Sequence, residues 1–491
     1  MSSFYIENFG CRATQADGAA IEQQFRDLGL DRAPVRNAAK YVVLNTCAVT
    51  ASAEQDARAA IRRIGRQNPG CKIVVTGCYA QRVPTEVAAL PGVFAVIGNS
   101  HKSNLAQIAL RKNSENGGYG EGSFVPASSL SAAHGAEIFV SDIFAHSQLL
   151  AAPVFDSANE RTRPNLKVQD GCNNRCSFCI IPSVRGRSRS LPAEQVLREV
   201  NQLVAAGYRE VVISGINLGR WGRDLQKAMT WGDGRPRPSN LESLVQAILD
   251  QTSLEKLRIS SVEPMDWSDS LIQLMADSRR IAKHAHVPMQ SGSDAVLRRM
   301  HRKYRPWHYR EKIENVRTAM PTAAIGADVM VGFPGETEAE FEETRHMIED
   351  LPFTYLHVFT FSARPGTPAA TMPDQVPVRV ARDRSRILRK LAAEKKRAFM
   401  QSFSGKPLSA ITLNVTSEGP DGAWTEAITD NYLKMKVLGK HVPNRWLNTV
   451  VEAVEEDALI GSELLVETLL ATSLFDRGHA RDIASYVSTN R

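Results

Sequence analysis

Six of the seven cysteines in this 491-residue chain stand just past a short apolar run that reads as a β-strand. No other feature restricts the fold as much. In the first third, Phe4–Phe9 precedes Cys11, Tyr41–Asn45 precedes Cys47 and Ile73–Thr76 precedes Cys78, with Val93–Ile97 as a fourth run. Between them lie helical patterns, with Ile21, Phe25 and Leu28 on one face and Ala57, Ile61 and Ile64 on another. Strand alternating with helix predicts a parallel α/β (Rossmann-like) sheet. In such a sheet the carboxyl ends of the strands share one edge, where ligands usually bind. Cys11, Cys47 and Cys78, far apart in sequence, are thereby expected to converge. Singly, each would read as a small buried hydrophobe. Three at equivalent strand ends read as metal-cluster ligands. Cys71 precedes its strand, belongs at the opposite edge and reads as a bystander.

The other three, Cys172, Cys176 and Cys179, form C-x3-C-x2-C after a predicted strand at Asn165–Gln169. Three thiolates at this spacing can each hold one iron of a four-iron, four-sulfur cubane and leave the fourth iron open. A structural zinc site would want a fourth ligand nearby, and Cys78 and His284 are both remote in sequence. A disulfide framework would not use an odd number of cysteines.

Further strands are predicted at Glu210–Ser214, Lys256–Ser261, His284–Met289, Ala323–Val331 and Tyr355–Phe361, with helical patterns between them. Six β/α units predict a partial (β/α) barrel with its site at the carboxyl ends of the strands. Those ends carry the three cysteines, Gly215-Ile-Asn217, Glu263-Pro264, Gln290-Ser-Gly-Ser293, Gly332-Phe-Pro-Gly335 and Ser362. All are polar or glycine-rich, as a pocket for a ligand with adenosine, ribose and amino-acid parts requires.

With Phe178 before its last Cys, the GCNNRCSFC stretch resembles the radical S-adenosylmethionine (radical SAM) superfamily. The following IIPSVRGRSRS, and SGINLG, SSVEP, HVPMQSGSDAVLRRMHRKY, IGADVMVGFPGETEAEFEET and FTFSARPGTPAA, resemble its methylthiotransferases. The resemblance implies that the open iron binds the amino and carboxylate groups of S-adenosylmethionine, which an electron cleaves to a 5′-deoxyadenosyl radical. It implies that Gly215, Asn217, Glu263, Gln290 and Ser291 line that site. A second 4Fe–4S cluster on Cys11, Cys47 and Cys78 would hold the sulfur to be transferred, methylated by a first S-adenosylmethionine before a second is cleaved. One departure is Thr14, where the family usually has Asn. Arg185 and Arg187, just past the motif, read either as contacts to a phosphate or carboxylate or as surface charge.

From Ser404 the pattern changes to short β runs at Ser409–Val415, Trp424–Ile428, Tyr432–Val437 and Thr449–Val454, as in a small β-barrel. Its ITDNYLKMKV stretch resembles the RNA-binding TRAM module. Lys434, Lys436, Lys440 and Arg445 are candidate phosphate contacts, with Trp424 and Tyr432 as stacking or core aromatics. The expected layout is an N-terminal domain at 1–110, a Gly/Ser-rich linker at 111–160, the barrel at 161–402, the TRAM-like barrel at 403–475 and a tail at 476–491. His146, near the linker, reads as a surface histidine.

A net charge of +7 permits a polyanionic partner. The predicted helix from Arg379 to Arg397 concentrates that charge, with nine Lys or Arg against two Asp or Glu. The opposite holds from Ser404 to Ala471, with five against ten. No run of about 18 apolar residues predicts a membrane span, and MSSFYIENFGC lacks the features of a signal peptide. A cytoplasmic protein is expected. The GC-x-x-x-Q-A-D opening, the TGC-Y-A-Q block and ITDNYLKMKV resemble the branch acting on N6-threonylcarbamoyladenosine at tRNA position 37. Isopentenyladenosine at the same position and a ribosomal-protein aspartate are the substrates of sister branches, and a non-catalytic iron–sulfur RNA-binding protein is the alternative of another class. The resemblance implies the tRNA anticodon loop, a reductase or flavodoxin-like electron donor and a sulfur donor as partners.

Overall fold

The computed structural model describes residues 2–110, 135–146, 149, 162–225, 238–419 and 422–464. Most of the expected linker and all of the expected tail lie outside these residues. Among the described residues, no helix is long and apolar enough to cross a membrane.

The first sheet has six parallel strands: β1 (Ser3–Asn8), β2 (Asp31–Arg32), β3 (Tyr41–Thr46), β4 (Lys72–Gly77), β5 (Val93–Gly98) and β6 (Glu137–Phe139), in the order β2-β1-β3-β4-β5-β6. Strand β6 falls within the stretch expected to be linker. Helix α1 (Arg12–Asp27) sets Ile21 and Phe25 against Phe4 and Tyr41 on one face of the sheet. Helix α2 (Ala51–Gln67), capped by Thr50, sets Ala57, Ile61 and Ile64 against Val42, Leu44 and Val75 on the other. A strand covered on both faces is apolar throughout, and β3 is buried along its whole length. Strand order runs outward in opposite directions from β1 and β3. In a doubly wound sheet that reversal opens a crevice at the carboxyl edge. Cys11 and Cys47 follow the two strands that flank it.

The second body is the expected half-open barrel. Parallel strands β7 (Asn165–Asp170), β9 (Glu210–Gly215) and β10 (Lys256–Ile259) are followed by β11 (His284–His286), β12 (Ala324–Val331) and β13 (Tyr355–Thr360). The antiparallel β8 (Arg189–Ser190) lies at the β7 edge. Between β10 and β11 the ladder is reduced to the Leu257–Ile281 bridge and, just past β10, the Val262 amide donating to the His286 carbonyl at 3.1 Å. Alternate residues such as Leu166, Val168, Ile213, Ala285, Val287, Val329 and Val358 form one apolar core with the surrounding helices. The opposite, inner face carries Lys167, Gln169, Arg258, His284, His286 and Tyr355.

The first sheet and the barrel form one compact unit. Asp17 of α1 joins them. It is 1% exposed and faces three cations: Lys167 of β7 in a close ion pair, Lys102 at 3.0 Å and Arg185 at 3.0 Å. Arg185 also meets Asp170 at 3.0 Å, and Lys167 meets it at 2.8 Å. Alongside, Asn165 Nδ2 donates to the Arg12 carbonyl at 3.1 Å. Burial alone would push the Asp17 carboxyl up, but Lys102, Lys167 and Arg185 override it and hold the group well below the usual carboxylate range. Arg185 therefore meets carboxylates of this chain, whereas Arg187 is exposed.

The other compact unit contains a closed five-stranded barrel of β14 (Pro407–Gly419), β15 (Gly422–Thr429), β16 (Lys434–Leu438), β17 (Trp446–Val454) and β18 (Leu459–Glu463), in the order β14-β15-β16-β18-β17. Four of these strands were expected and β18 was not. Lys436, Lys440 and Arg445 pair with Glu455, Glu418 and Glu463 at its surface. Such exposed pairs are weak and leave those cations exchangeable. Trp424 and Tyr432 are half-buried.

Breaking one member of a buried charge cluster leaves its partners uncompensated and costs about 3–5 kcal/mol. Asp17→Asn is expected to lose about that much stability at pH 7. A carboxyl whose folded pKa is depressed contributes stability above its unfolded pKa of about 3.9 and loses it as pH falls further. Urea unfolding should therefore show the gap between wild type and D17N narrowing below about pH 4.

Candidate active site

The carboxyl edges of the two bodies meet. Ile180 and Val184, just past Cys179, pack in the same apolar cluster as Cys78 and Tyr79. Asn99 Nδ2 donates to the Val184 carbonyl at 2.7 Å and lies 3.7 Å from Cys78 Sγ. Arg364, in the loop after β13, reaches Glu54 at 3.1 Å and the Ala48 carbonyl beside Cys47 at 3.5 Å. The two groups of three cysteines are thus brought to one seam.

Within the first group, Gly10 (φ +111°) abuts Cys47: a Cβ there would lie 2.7 Å from Cys47 Cβ and 3.0 Å from its sulfur. Cys11 is exposed, and its sulfur lies 3.7 Å from Thr14 Oγ1, so Thr14 meets the cysteine at the position where the family usually has Asn. Cys47 accepts from the Val49 amide at 3.4 Å. Burial pushes the Cys47 thiol up to about 12, and the nearby Cys78 and Cys11 add to the shift. Cys71 precedes β4 and lies at the opposite end of that strand from Cys78.

In the second group, Cys172 Sγ accepts from the Asn174 amide at 3.4 Å and from Asn217 Nδ2 at 3.5 Å. Cys176 Sγ accepts from Arg302 at 3.2 Å. Arg302 is 7% exposed and also forms a close ion pair with Glu263. Burial pushes the Cys179 thiol up to about 12. Among the described residues, no three His, Cys, Asp or Glu side chains converge tightly enough to hold a single metal ion. The chemistry of the donor set fits a cubane instead. Three soft thiols in this group, with N–H donors aimed at the Cys172 and Cys176 sulfurs, are what would hold and tune an iron–sulfur cluster. Iron would deprotonate thiols that burial keeps neutral in its absence.

Around this group lie the other expected residues. Gln169 Oε1 accepts from the Asn217 amide at 2.7 Å, and its Nε2 donates to the Gly171 carbonyl at 2.8 Å. A Cβ on Gly215 would meet that Gln169 side chain at 2.8 Å. Asn217 Oδ1 is buried without a protein partner, as an acceptor awaiting a ligand donor would be. Gln290 has φ 63°, sparsely populated for a residue with a side chain, and its backbone bridges to Val329. Ser291 faces away: it is 1% exposed, with its hydroxyl 3.1 Å from Thr344 Oγ1 and accepting from the Ser293 amide. Sequence reasoning did not single out Gln169, Arg302 or Asp17. Arg302 lies within a quoted motif, HVPMQSGSDAVLRRMHRKY, but its position alone does not say that it reaches Cys176. Asp17 likewise closes the quoted GC-x-x-x-Q-A-D opening, which does not say what it meets, and Gln169 carried no signal beyond ending its strand.

Residues 166–348 match the radical SAM superfamily, and residues 3–98 match uncharacterized protein family UPF0004. The chain is 35% identical over 439 residues to the threonylcarbamoyladenosine tRNA methylthiotransferase MtaB of Bacillus subtilis, covering 89% of this chain and 91% of that protein. The MtaB of Aquifex aeolicus is 33% identical, with 88% and 96% covered. A tRNA-2-methylthio-N(6)-dimethylallyladenosine synthase of Clostridium novyi is 29% identical, with 85% and 86% covered. Among solved structures, the radical S-adenosylmethionine methyltransferase TsrM of Kitasatospora setae, with cobalamin and a [4Fe-4S] cluster bound, aligns with TM-score 0.55 at 12% identity over 79% of this chain and 84% of that one. That likeness is one of fold.

Thiol reactivity follows thiolate character and access. In metal-free protein at pH 8, iodoacetamide is expected to modify Cys11 first and Cys47 and Cys179 last. Peptide mass spectrometry over a time course checks the order.

Proposed function

The chain belongs to the radical SAM methylthiotransferases, and from that membership we propose that it inserts a methylthio group at C2 of N6-threonylcarbamoyladenosine at position 37 of tRNA. The observation that carries this reading is 32–35% identity over most of the chain to several enzymes so named. The chemistry agrees with the site. An aromatic C–H is too weak an acid for any general base in the chain, so a carbon-centred radical is required to open it.

Cys172, Cys176 and Cys179 would hold a 4Fe–4S cluster, and the chemistry it would supply with S-adenosylmethionine bound is one-electron cleavage of the sulfonium to methionine and a 5′-deoxyadenosyl radical. Asn217 orients the ligand through its unpartnered Oδ1 while its Nδ2 stays on the Cys172 sulfur. Arg302 sets the charge around Cys176 and fixes Glu263 at the rim. Gly215 and Gln290 complete the lining, and Ser291 supports it from behind through Thr344. Cys11, Cys47 and Cys78 hold a second 4Fe–4S cluster, with Cys11 on the exposed side. The anticodon loop meets the cysteine groups, and exposed cations of the five-stranded barrel such as Lys434 and Arg445 contact tRNA phosphates. Function in the cytoplasm, with a reductase or flavodoxin-like electron donor and a separate sulfur donor, follows from this reading.

Reconstituted protein is expected to hold about eight irons per chain. Cys176→Ala should abolish 5′-deoxyadenosine formation, and Cys11→Ala should spare it while lowering iron content. About four irons in wild type would remove the second cluster. Nucleoside mass spectrometry of tRNA from a deletion strain should show the methylthio mark missing from threonylcarbamoyladenosine. Loss from the isopentenyl base instead would assign the sister branch.

A further inference from the structure

The inner face of the barrel at β11–β13 is built from ionisable and aromatic side chains that cluster chemistry does not use. His284 Nε2 lies 2.6 Å from the Tyr355 hydroxyl. His286 Nδ1 lies 2.6 Å from Ser261 Oγ, with its ring 6.0 Å from that of Tyr355 and 5.7 Å from that of His357. Asp328 pairs with His357 across the β12–β13 ladder, and its Oδ1 lies 3.5 Å from His286 Nε2. Gly326 makes the room, since any Cβ there would run into the Tyr355 ring.

Depth along β13 orders these groups. The strand runs toward the cysteine edge, so Tyr355 is deepest, His357 is next and Phe359 is nearest the rim. Val358 is buried in the outer core, yet His357 and Phe359 on the inner face are both exposed, Phe359 by 48%. An exposed ring at the mouth is a stacking surface for an unstacked base. From the other body comes Arg12, the residue next to Cys11, at the start of α1. Its guanidinium is close enough to add to the burial that pushes the His284 and His357 imidazoles below their usual value. Arg12 and Asp328 thus both act on the His357 imidazole, two residues below the exposed Phe359 ring, and Arg12 adjoins the exposed Cys11.

We propose that Arg12, His357 and Asp328 form the subsite that reads the N6 substituent of the target base, with Arg12 on its carboxylate and Asp328 and His357 on its hydroxyl and ureido groups, while the base stacks on Phe359. This rests on the reading of the substrate as threonylcarbamoyladenosine. That substituent carries one carboxylate, one hydroxyl and ureido N–H donors, and each finds a partner of opposite character here. An aliphatic substituent would strip water from Arg12 and Asp328 and return no hydrogen bond to them. Selectivity between substituents is then a property of α1 and β13 and not of the cysteine loops.

The test is methylthiolation kinetics of reconstituted full-length protein. The substrates are one tRNA carrying threonylcarbamoyladenosine at position 37, the same tRNA carrying the methyl ester of that base, and a tRNA carrying isopentenyladenosine. For wild type, the ester should raise KM about 10-fold or more, the usual worth of a hydrogen bond to a charged group. Arg12→Gln should raise KM for the acid by a similar factor and leave KM for the ester near the wild-type value, because the pair is already broken. Arg12→Lys should recover most of the loss. His357→Phe, on the other body and far from any cysteine in sequence, should also raise KM for the acid about 10-fold or more. Wild-type KM for the acid in both R12Q and H357F, or equal use of acid and ester by wild type, would overturn the subsite. Wild type that ignores both yet modifies isopentenyl tRNA would overturn the subsite and the proposed substrate together. A KM penalty for the ester in wild type, together with a penalty for the acid in R12Q and H357F, is the supporting pattern.

Discussion

The arrangement depends on one carboxylate. Asp17 sits one turn and a half into α1, whose first residue follows Cys11, and one of its partners, Lys167, sits on β7, which ends two residues before Cys172. The ion pair that docks the first sheet onto the barrel therefore also sets where the two cysteine groups stand. Apolar packing of Ile180 and Val184 around Cys78 adds adhesion, but burial of apolar area is non-directional and tolerates sliding. Three cations on one buried carboxylate do not, because any slip leaves a charge unpaired in a medium that cannot solvate it. Lys102, from the turn after β5, and Arg185, from the short helix after Cys179, close the cluster so that segments of both bodies share its restraint.

Much of this was legible in the chain. The parallel sheet, the half barrel and the convergence of Cys11, Cys47 and Cys78 follow from local pattern alone, since a cysteine just past an apolar strand has its place in a parallel fold decided by topology. Three features were not legible. Strand β18 carries Gly461 in its middle and reads as a turn, and β6 is only three residues long inside a Gly/Ser-rich region. The break between β10 and β11 has no compositional mark. The charge cluster joins positions 17, 102, 167, 170 and 185, which no periodicity links. Arg185 illustrates the difference. Its residue type left a carboxylate or phosphate partner and a surface position both open, and did not say that the partner would be Asp17, 168 residues upstream.

The sulfurs are not treated alike. Cys176 receives a guanidinium, Cys172 an amide N–H and a carboxamide, and Cys47 only a backbone amide. Donors to sulfur stabilise the more reduced, more negative state of a cluster. Arg302 also holds Glu263, so part of its positive charge is spent on a neighbouring carboxylate, and the balance between the two contacts tunes the field at Cys176. A Lys in its place would offer a point charge in place of a planar fork and could not serve both partners in one geometry.

The barrel's two faces make the last point. Its outer face is a continuous apolar core, and stability comes from there. On the inner side and at the carboxyl ends, by contrast, Ser214 Oγ, Asn217 Oδ1 and Ser293 Oγ are buried without protein partners among the described residues. Buried polar atoms normally find a partner, and each one left without costs stability on the order of 1–3 kcal/mol. A barrel selected for stability alone would replace these residues with apolar ones. Where such atoms stand at the carboxyl ends of the barrel strands, the cost is borne at positions where a bound nucleoside and S-adenosylmethionine can offset it, so ligand binding and folding of the barrel are thermodynamically linked.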